Sequence, residues 1–317
     1  MAEISKKIKF YDPIKLKNIN QETLKLYDKY KIDMTIRELS PKTIDGYDND
    51  LSHWFIFIYD NQDNISILKL KEDDIVEFLY FCKMEGNNSR RMKRRISSIS
   101  AFYKFLRRKK LIAENPLEFF ERPKKDTDII TQTFLTKEQV DFMKQKLIEN
   151  DDLQLQTYAL FSLSTMARVN AVSNTRWEQI DFNERTVNDV LEKEGKIVTL
   201  YFSQEVKDLL LKLKLFRENN NIDDGGWVFI TRYDNVFNKV AKGTMQQWAK
   251  RVGELIEIPT LHAHDFRHSG SQLMLLAGAP LEEISTLLNH SGLDVTKRFY
   301  TREDKKKVQE NKDKYGI

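Results

Sequence analysis

Residues 261–300 read LHAHDFRHSGSQLMLLAGAPLEEISTLLNHSGLDVTKRFY and hold four of the five histidines of a 317-residue chain. The pattern predicts two helices, one from His264 ending at Gly278 and one with Pro280 at its first position, where a missing N–H is no loss. On the first helix His264 and Arg267 stand three apart, so they project from one face and can touch a single anion together. Downstream come Leu287-Leu288-Asn289-His290 and, ten residues after that histidine, Tyr300. Taken singly, each has an ordinary explanation: His290 can cap a helix and Tyr300 can pack beside Phe299. A metal-dependent hydrolase is a rival reading, since His262-Ala263-His264-Asp265 followed by His268 superficially looks like a ligand run. Against it, His262 and His264 diverge on a helix, and no distant acid or histidine cluster completes a two-metal set.

Working outward, the composition is that of a globular protein: 40% hydrophobic and 32% charged residues, with no apolar run of membrane-spanning length. The first residues alternate lysines with single apolar side chains and do not read as a secretory signal, so a cytoplasmic location is expected. Cys82 is the only cysteine, which excludes an intrachain disulfide and a thiolate zinc cluster. The net charge of +4 is small, but its distribution is not even. From Arg90 to Lys110 there are ten Lys or Arg residues and no acid, a density suited to a phosphate backbone or, equally, to a solvated helix face.

The N-terminal half reads as a short helical bundle. Ser40 caps a helix running to Phe57, with Pro41 at its first position, Ile44, Tyr47, Leu51, Trp54 and Phe55 on one face and a polar face outward. A second helix starts near Lys71 and carries Ile75, Phe78 and Leu79. After the turn Gly86-Asn87-Asn88-Ser89 a third passes through the basic segment, with Met92, Ile96, Ile99, Tyr103 and Leu106 inward and Arg91, Arg94, Arg95 and Ser98 outward. Arg90, Arg91, Arg94, Arg95 and Ser98 are the candidates for contact with a phosphate backbone, the DNA-binding residues if the basic face is more than a solvated one. Asn115-Pro116 ends the bundle, and the polar stretch from Glu121 to Thr133 reads as a linker. Thr136 and Gln139 then form a capping box that opens a second domain. Val187–Leu191 and Ile197–Phe202, separated by Glu192-Lys193-Glu194-Gly195-Lys196, read as a β-hairpin, with helices resuming after it.

The order His, Arg, His, Tyr in the opening stretch resembles the tyrosine recombinase family, the phage integrase and Xer-like enzymes, with its H-x-x-R, L-L-G-H and nucleophilic tyrosine nine or ten residues on. Upstream, Ser164-Thr165-Met166-Ala167-Arg168-Val169-Asn170-Ala171-Val172 and Trp177-Glu178-Gln179-Ile180-Asp181 resemble that family's T-G-x-R-x-S-E and W-x-D-I-D. Lys193 ahead of Lys196-Ile197-Val198-Thr199-Leu200 resembles its G-K-x-x-K-x-R-x-V-P-L, with Lys196 as the alternative lysine. Six matches in order, over about residues 40 to 300, are far more specific than any one.

The resemblance implies a mainly α protein with a small β-sheet: a helical core-binding (SAM-like) domain at 36–123, a linker at 124–132 and a mixed α/β catalytic domain at 133–317. Residues 1–35 are left as an N-terminal extension, too small for a full arm-type DNA-binding domain. It implies Tyr300 as the nucleophile, Arg168 and Arg267 gripping the phosphate with planar donors, His264 and His290 hydrogen bonding to it or managing the tyrosine proton, and Lys193 protonating the leaving 5′ oxygen. The reaction calls for no cofactor and no metal, because these side chains supply the electrophilic assistance. Its partners are a double-stranded DNA recombination site, clamped between the two domains, and other copies of the chain, four acting on two sites through a Holliday junction. The charged tail after Tyr300 is a candidate for docking on a neighbouring copy, and no membrane is involved.

Three positions depart from the family pattern: Met166 and Asn289 replace glycines, and Ala171 replaces an acid that orients neighbouring active-site groups. Asp265 is the candidate to compensate for Ala171. A DNA-binding protein that has lost catalysis is the second alternative, which Ala171 allows and an intact Tyr300 opposes.

Overall fold

In a computed structural model the chain forms two units, residues 1–130 and 131–317. Residues 11–123, 134–192 and 195–289 are described here. The linker 124–132, Lys193, His290, Tyr300 and the C-terminal tail lie outside them in whole.

The first unit contains five helices among the described residues: α1 (Pro13–Lys17), α2 (Gln21–Ile36), α3 (Pro41–Asn61), α4 (Glu72–Met84) and α5 (Ser89–Arg108). Their starts follow the local chemistry. The side chains of Asn20, Ser40 and Asn88 accept backbone N–H groups of the first turns of α2, α3 and α5, and Asp74 accepts from Lys71 N at 2.7 Å to close the start of α4. Leu51, Trp54 and Phe55 of α3, Ile75, Phe78 and Leu79 of α4, and Met92, Ile96, Ile99, Tyr103 and Leu106 of α5 are all buried in one core, on the faces expected. Cys82 is buried there too, and burial pushes its thiol up to about 11, so it is a packed, unreactive group.

The N-terminal stretch is more than an extension. Leu26, Tyr27, Tyr30 and Met34, at helical spacing along α2, belong to the same core. Tyr27 meets Phe55 edge-on at 5.2 Å between ring centroids, and Tyr30 lies 5.0 Å from Phe102. The bundle therefore begins well before residue 36.

The second unit is built around α7 (Leu153–Thr165), which packs against α6 (Lys137–Glu149), α9 (Gln204–Asn219), α10 (Lys242–Leu255) and α11 (Ala263–Leu276). The Thr136/Gln139 capping box forms at the start of α6. The short α8 (Val169–Asn174) follows α7, and α12 (Leu281–Leu287) follows α11. Between α8 and α9 lie β1 (Ile180–Asp181), β2 (Thr186–Leu191) and β3 (Ile197–Tyr201), an antiparallel sheet in that order, with Val187 opposite Leu200 and Val190 opposite Val198. A second hairpin, not among the elements expected, joins β4 (Ile230–Tyr233) to β5 (Val236–Lys239). Its turn residues Asp234 and Asn235 both have positive φ, 46° and 60°, the geometry that tight two-residue hairpins need and that these residue types tolerate.

Gly270 sets how closely α11 approaches α7. A Cβ there would stand 2.3 Å from the carbonyl oxygen of Leu163, so any other residue would push α11 away from α7. No helix of the described residues is long and apolar enough to cross a membrane.

Candidate active site

Three of the expected catalytic residues are described, and the fold brings them to one place. Arg168 is the N-cap residue of α8, directly after the turn that ends α7. His264 lies in the first turn of α11, and Arg267 follows one turn on. The Arg267 guanidinium is 3% exposed and spans two backbone segments: Nη1 donates to the carbonyl of Met166 at 2.7 Å and Nη2 to that of Leu288 at 2.6 Å. It therefore ties the loop before Arg168 to the end of α12, immediately ahead of His290. A lysine has neither the reach nor the fork for both bonds.

The His264 ring crosses that of His268 edge-on at 4.5 Å. Desolvation by the surrounding chain, then the positive charges of Arg267 and Arg168, hold its pKa below the ordinary histidine value. Both guanidiniums thus disfavour a proton on this imidazole.

Two of the three departures from the family pattern explain themselves. Met166 and Asn289 both have φ of 51°, the left-handed region where glycine is at ease. Asn289 tolerates it well. Met166 does so at a cost of roughly 1 kcal/mol, offset by burial of its side chain with Ile284 and Leu288.

The third departure has a different resolution from the one expected. Ala171 is fully buried and offers no polar group. Asp265, expected to compensate, is engaged elsewhere: its carboxylate accepts from the backbone N of His262 at 2.8 Å and caps α11, with burial raising its pKa. Arg168 is instead paired with Glu192, through Nη1 to Oε2. Glu192 stands at the end of β2, where the sequence suggests only a turn, and no spacing signal links it to Arg168. Next to it on the hairpin, Lys196 Nζ donates to the carbonyl of Asn289 at 2.9 Å, so the alternative lysine reaches the residue before His290. Lys193, His290 and Tyr300 fall outside the described residues.

The His262–His268 run does not converge as a ligand set. His262 Nδ1 contacts the carbonyl of Thr260, Asp265 caps the helix and His264 faces His268. Among the described residues no group of three or more His, Cys, Asp or Glu could hold a metal.

On α5 the expected DNA-binding residues divide. Arg90 is exposed and Arg94 is half-exposed. Arg91 is partly covered, donating to Asn49 Oδ1 at 3.0 Å and pairing with Asp50 at 2.7 Å. Arg95 and Ser98, expected to face outward, are buried at 2% and 1% exposure. Their reason for being inside is Asp50 of α3, whose side chain is fully buried. The Ser98 hydroxyl donates to its Oδ2 at 2.8 Å, and Arg95 Nη1 lies 3.9 Å from its Oδ1. Arg95 also donates to Asn87 Oδ1 at 2.9 Å and to Nδ1 of His53 at 3.3 Å. A buried carboxylate needs charged and hydroxyl donors, and α5 supplies them.

Comparison with known proteins matches both units. The phage integrase family matches residues 133–307, and the phage integrase N-terminal SAM-like domain matches residues 28–110. The chain is 27% identical over 312 residues to the tyrosine recombinase XerC of Pediococcus pentosaceus, covering 93% of this chain and 97% of that protein. It is 25% identical over 294 residues to the tyrosine recombinase XerD of Oceanobacillus iheyensis, covering 86% and 92%. Among solved structures, the fold resembles that of a lambda integrase dimer bound to a COC′ core site, with TM-score 0.69 and 15% identity over 88% of this chain and 95% of that one. It also resembles the Tn1549 transposon integrase in complex with circular intermediate DNA, with TM-score 0.68 and 16% identity over 90% and 97%. With the family matched over more than half its length, and two arginines and a histidine gathered in the matching unit, the chain belongs to the phage integrase family and is an enzyme of the tyrosine recombinase type.

Proposed function

We propose that this protein cleaves and rejoins DNA at a specific site through a 3′-phosphotyrosyl intermediate, with Tyr300 as nucleophile. The observation that carries the reading is the bond from Arg267 Nη1 to the carbonyl of Met166 at 2.7 Å, which holds the start of α11, with His264, against the loop that presents Arg168. Two guanidiniums beside a neutral imidazole suit a phosphodiester under attack, whose non-bridging oxygens gain negative charge. The Tyr300 oxygen attacks phosphorus and its proton passes to a neutral histidine, His264 or His290. The bond to the 5′ oxygen breaks and that oxygen takes a proton from the hairpin lysine, Lys193, with Lys196 as the alternative. The phosphotyrosyl ester retains the energy of the broken bond, so a 5′ hydroxyl from another strand can reverse the step and join a new partner with no cofactor.

Arg90, Arg91 and Arg94 of α5 are proposed to lie against the DNA backbone, while Arg95 and Ser98 support them from inside. Four copies act on two sites, exchanging strands through a Holliday junction, in the cytoplasm where the DNA is. Structures of a lambda integrase tetramer on a Holliday junction and of a transposon integrase on DNA support this assembly by analogy of fold. The biological task is integration and excision of a mobile element or resolution of replicon dimers.

The test is a nicked suicide duplex carrying the site, taken from DNA flanking the gene and incubated with wild type and Tyr300→Phe in the presence of a chelator. A denaturant-resistant protein–DNA adduct with wild type alone is the expected result. Sequence-specific binding without an adduct from either protein would favour a DNA-binding protein that has lost catalysis, and an adduct abolished by the chelator would favour the metal-dependent reading.

A further inference from the structure

We propose that Glu192 is a positioning residue for Arg168, the carboxylate that aims this guanidinium at the scissile phosphate. The inference rests on the recombinase reading and deepens it. Arg168 opens α8, whose sequence Val169-Asn170-Ala171-Val172-Ser173-Asn174 contains no acid, and Ala171, on the turn that would face it, is buried hydrocarbon. The carboxylate comes instead from the sheet. The Glu192 side chain is 2% exposed, whereas that of Arg168 is 34% exposed, so the acid sits beneath and the base reaches out over it.

The hairpin is fastened so that Glu192 cannot drift. The carbonyl of Leu191 accepts from Asn174 Nδ2 at 2.8 Å, which ties the end of β2 to α8. The backbone N of Glu192 donates to the carbonyl of Lys196 at 2.7 Å, which closes the loop. The pairing uses one terminal nitrogen of Arg168, Nη1. Among the described residues Nε and Nη2 have no hydrogen-bond partner, and they remain for an incoming anion. A carboxylate that holds one corner of the fork fixes its plane and leaves the other donors unused.

Charge and satisfaction point the same way. A carboxylate paired with Arg168 reduces the repulsion between this guanidinium and the other cation that bears on His264, Arg267. Glu192 Oε1 is buried and lacks a donor among the described residues, an arrangement that packing alone does not favour. Asp265 cannot substitute, because its carboxylate is spent on the α11 cap.

The experiment compares wild type with Glu192→Ala, Glu192→Asp and the isosteric Glu192→Gln, each checked for a wild-type melt, in two measurements. The first is single-turnover cleavage of the suicide duplex at saturating protein, alongside DNA affinity. The expected result is roughly ten- to a hundredfold slower cleavage for Glu192→Ala, the scale of a small misplacement of a catalytic group. A smaller loss is expected for Glu192→Gln, partial recovery for Glu192→Asp and unchanged affinity throughout. Cleavage at the wild-type rate or faster in a folded Glu192→Ala protein overturns the proposal. The second, independent of activity, is rotation about the guanidinium bonds of Arg168 in 15N-arginine-labelled protein, assigned with Arg168→Lys. Restricted rotation in wild type and free rotation in Glu192→Ala support the pairing; free rotation in wild type overturns it. A wild type that forms no adduct with any site would sink the recombinase reading, and the rotation measurement would still decide Glu192.

Discussion

The arginines of α5 and the arginines of the catalytic unit are held in opposite ways. On α5, Arg91, Arg94 and Arg95 converge on one buried carboxylate, Asp50, so three cations share one anion and the surplus charge is carried by the members nearest the surface. In the catalytic unit Arg168 has a carboxylate of its own, Glu192, whereas Arg267 spans the carbonyls of Met166 and Leu288. The first arrangement stiffens a helix and leaves a diffuse positive face, which suits a backbone bound at many points. The second fixes individual guanidiniums in direction, which suits one phosphate.

If that contrast is sound, the largest effect should come from Asp50. Replacing it with alanine leaves Arg95 buried without its counter-ion and Ser98 with only the carbonyl of Arg94 as acceptor, and should lower the stability of the first unit by about 3–5 kcal/mol. Urea unfolding reads this directly. Asp50→Asn, which keeps an acceptor for Ser98 but not the charge, should fall between the two. A loss under about 1 kcal/mol would mean that the three arginines do not depend on a shared carboxylate, and the comparison would fail.

A smaller effect follows from His53, which accepts from Arg95 and is therefore neutral in the fold. Burial, then repulsion from Arg95 and Arg91, lowers its pKa to about 4, with Asp50 opposing the shift. In the unfolded chain it titrates near 6.5. The folded pKa is depressed, so the contribution is fully present above pH 6.5 and is lost as pH falls from there toward 4, reaching on the order of 2–3 kcal/mol. His53→Gln keeps an acceptor for Arg95 and should flatten this part of the stability curve. An unaltered acid limb would show that the imidazole does not sense the arginine cluster. His264 adds a loss of the same sign in the second unit, since its pKa is also depressed.

The two regions are not equally open to reading from sequence. Helix starts are legible wherever a capping side chain precedes an apolar repeat, as at Ser40 and Thr136, because that chemistry is local. The pair His264–Arg267 is legible as neighbours on one helix because a spacing of three is local, and both fall in α11. What escapes are groups whose partners are distant in the chain. Asp50 reads as one more polar residue of α3 until α5 is laid across it, and its burial then draws in Arg95 and Ser98, which helical periodicity assigns to the surface. Glu192 reads as a turn residue until the hairpin folds back on α8. α2 hides its membership of the core because Tyr27, Tyr30 and Met34 are spaced among lysines and acids, and their burial depends on the aromatic rings of α3 and α5. The β4–β5 hairpin does carry a local signal, since Asp234-Asn235 is a turn-forming pair of the type that two-residue hairpins favour.

The smallest effect separates outside from inside on a single helix. Arg94→Ala removes a half-exposed guanidinium that touches Asp50 only through Nε at 3.3 Å, so stability should change little. The slope of log affinity for DNA against log salt should flatten by about 0.9, the value for one fewer phosphate neutralised. Arg95→Met removes a charge of the same sign one residue further on, yet it should leave that slope alone, because a side chain at 2% exposure releases no counter-ions when DNA binds. Its cost should appear instead in urea unfolding, where Asp50 loses a buried neighbour. Equal salt slopes for the two variants would place Arg95 against DNA after all and would mean that α5 rearranges on binding; distinct slopes would show that an arginine-rich helix divides its charges between a buried counter-ion and the phosphate backbone.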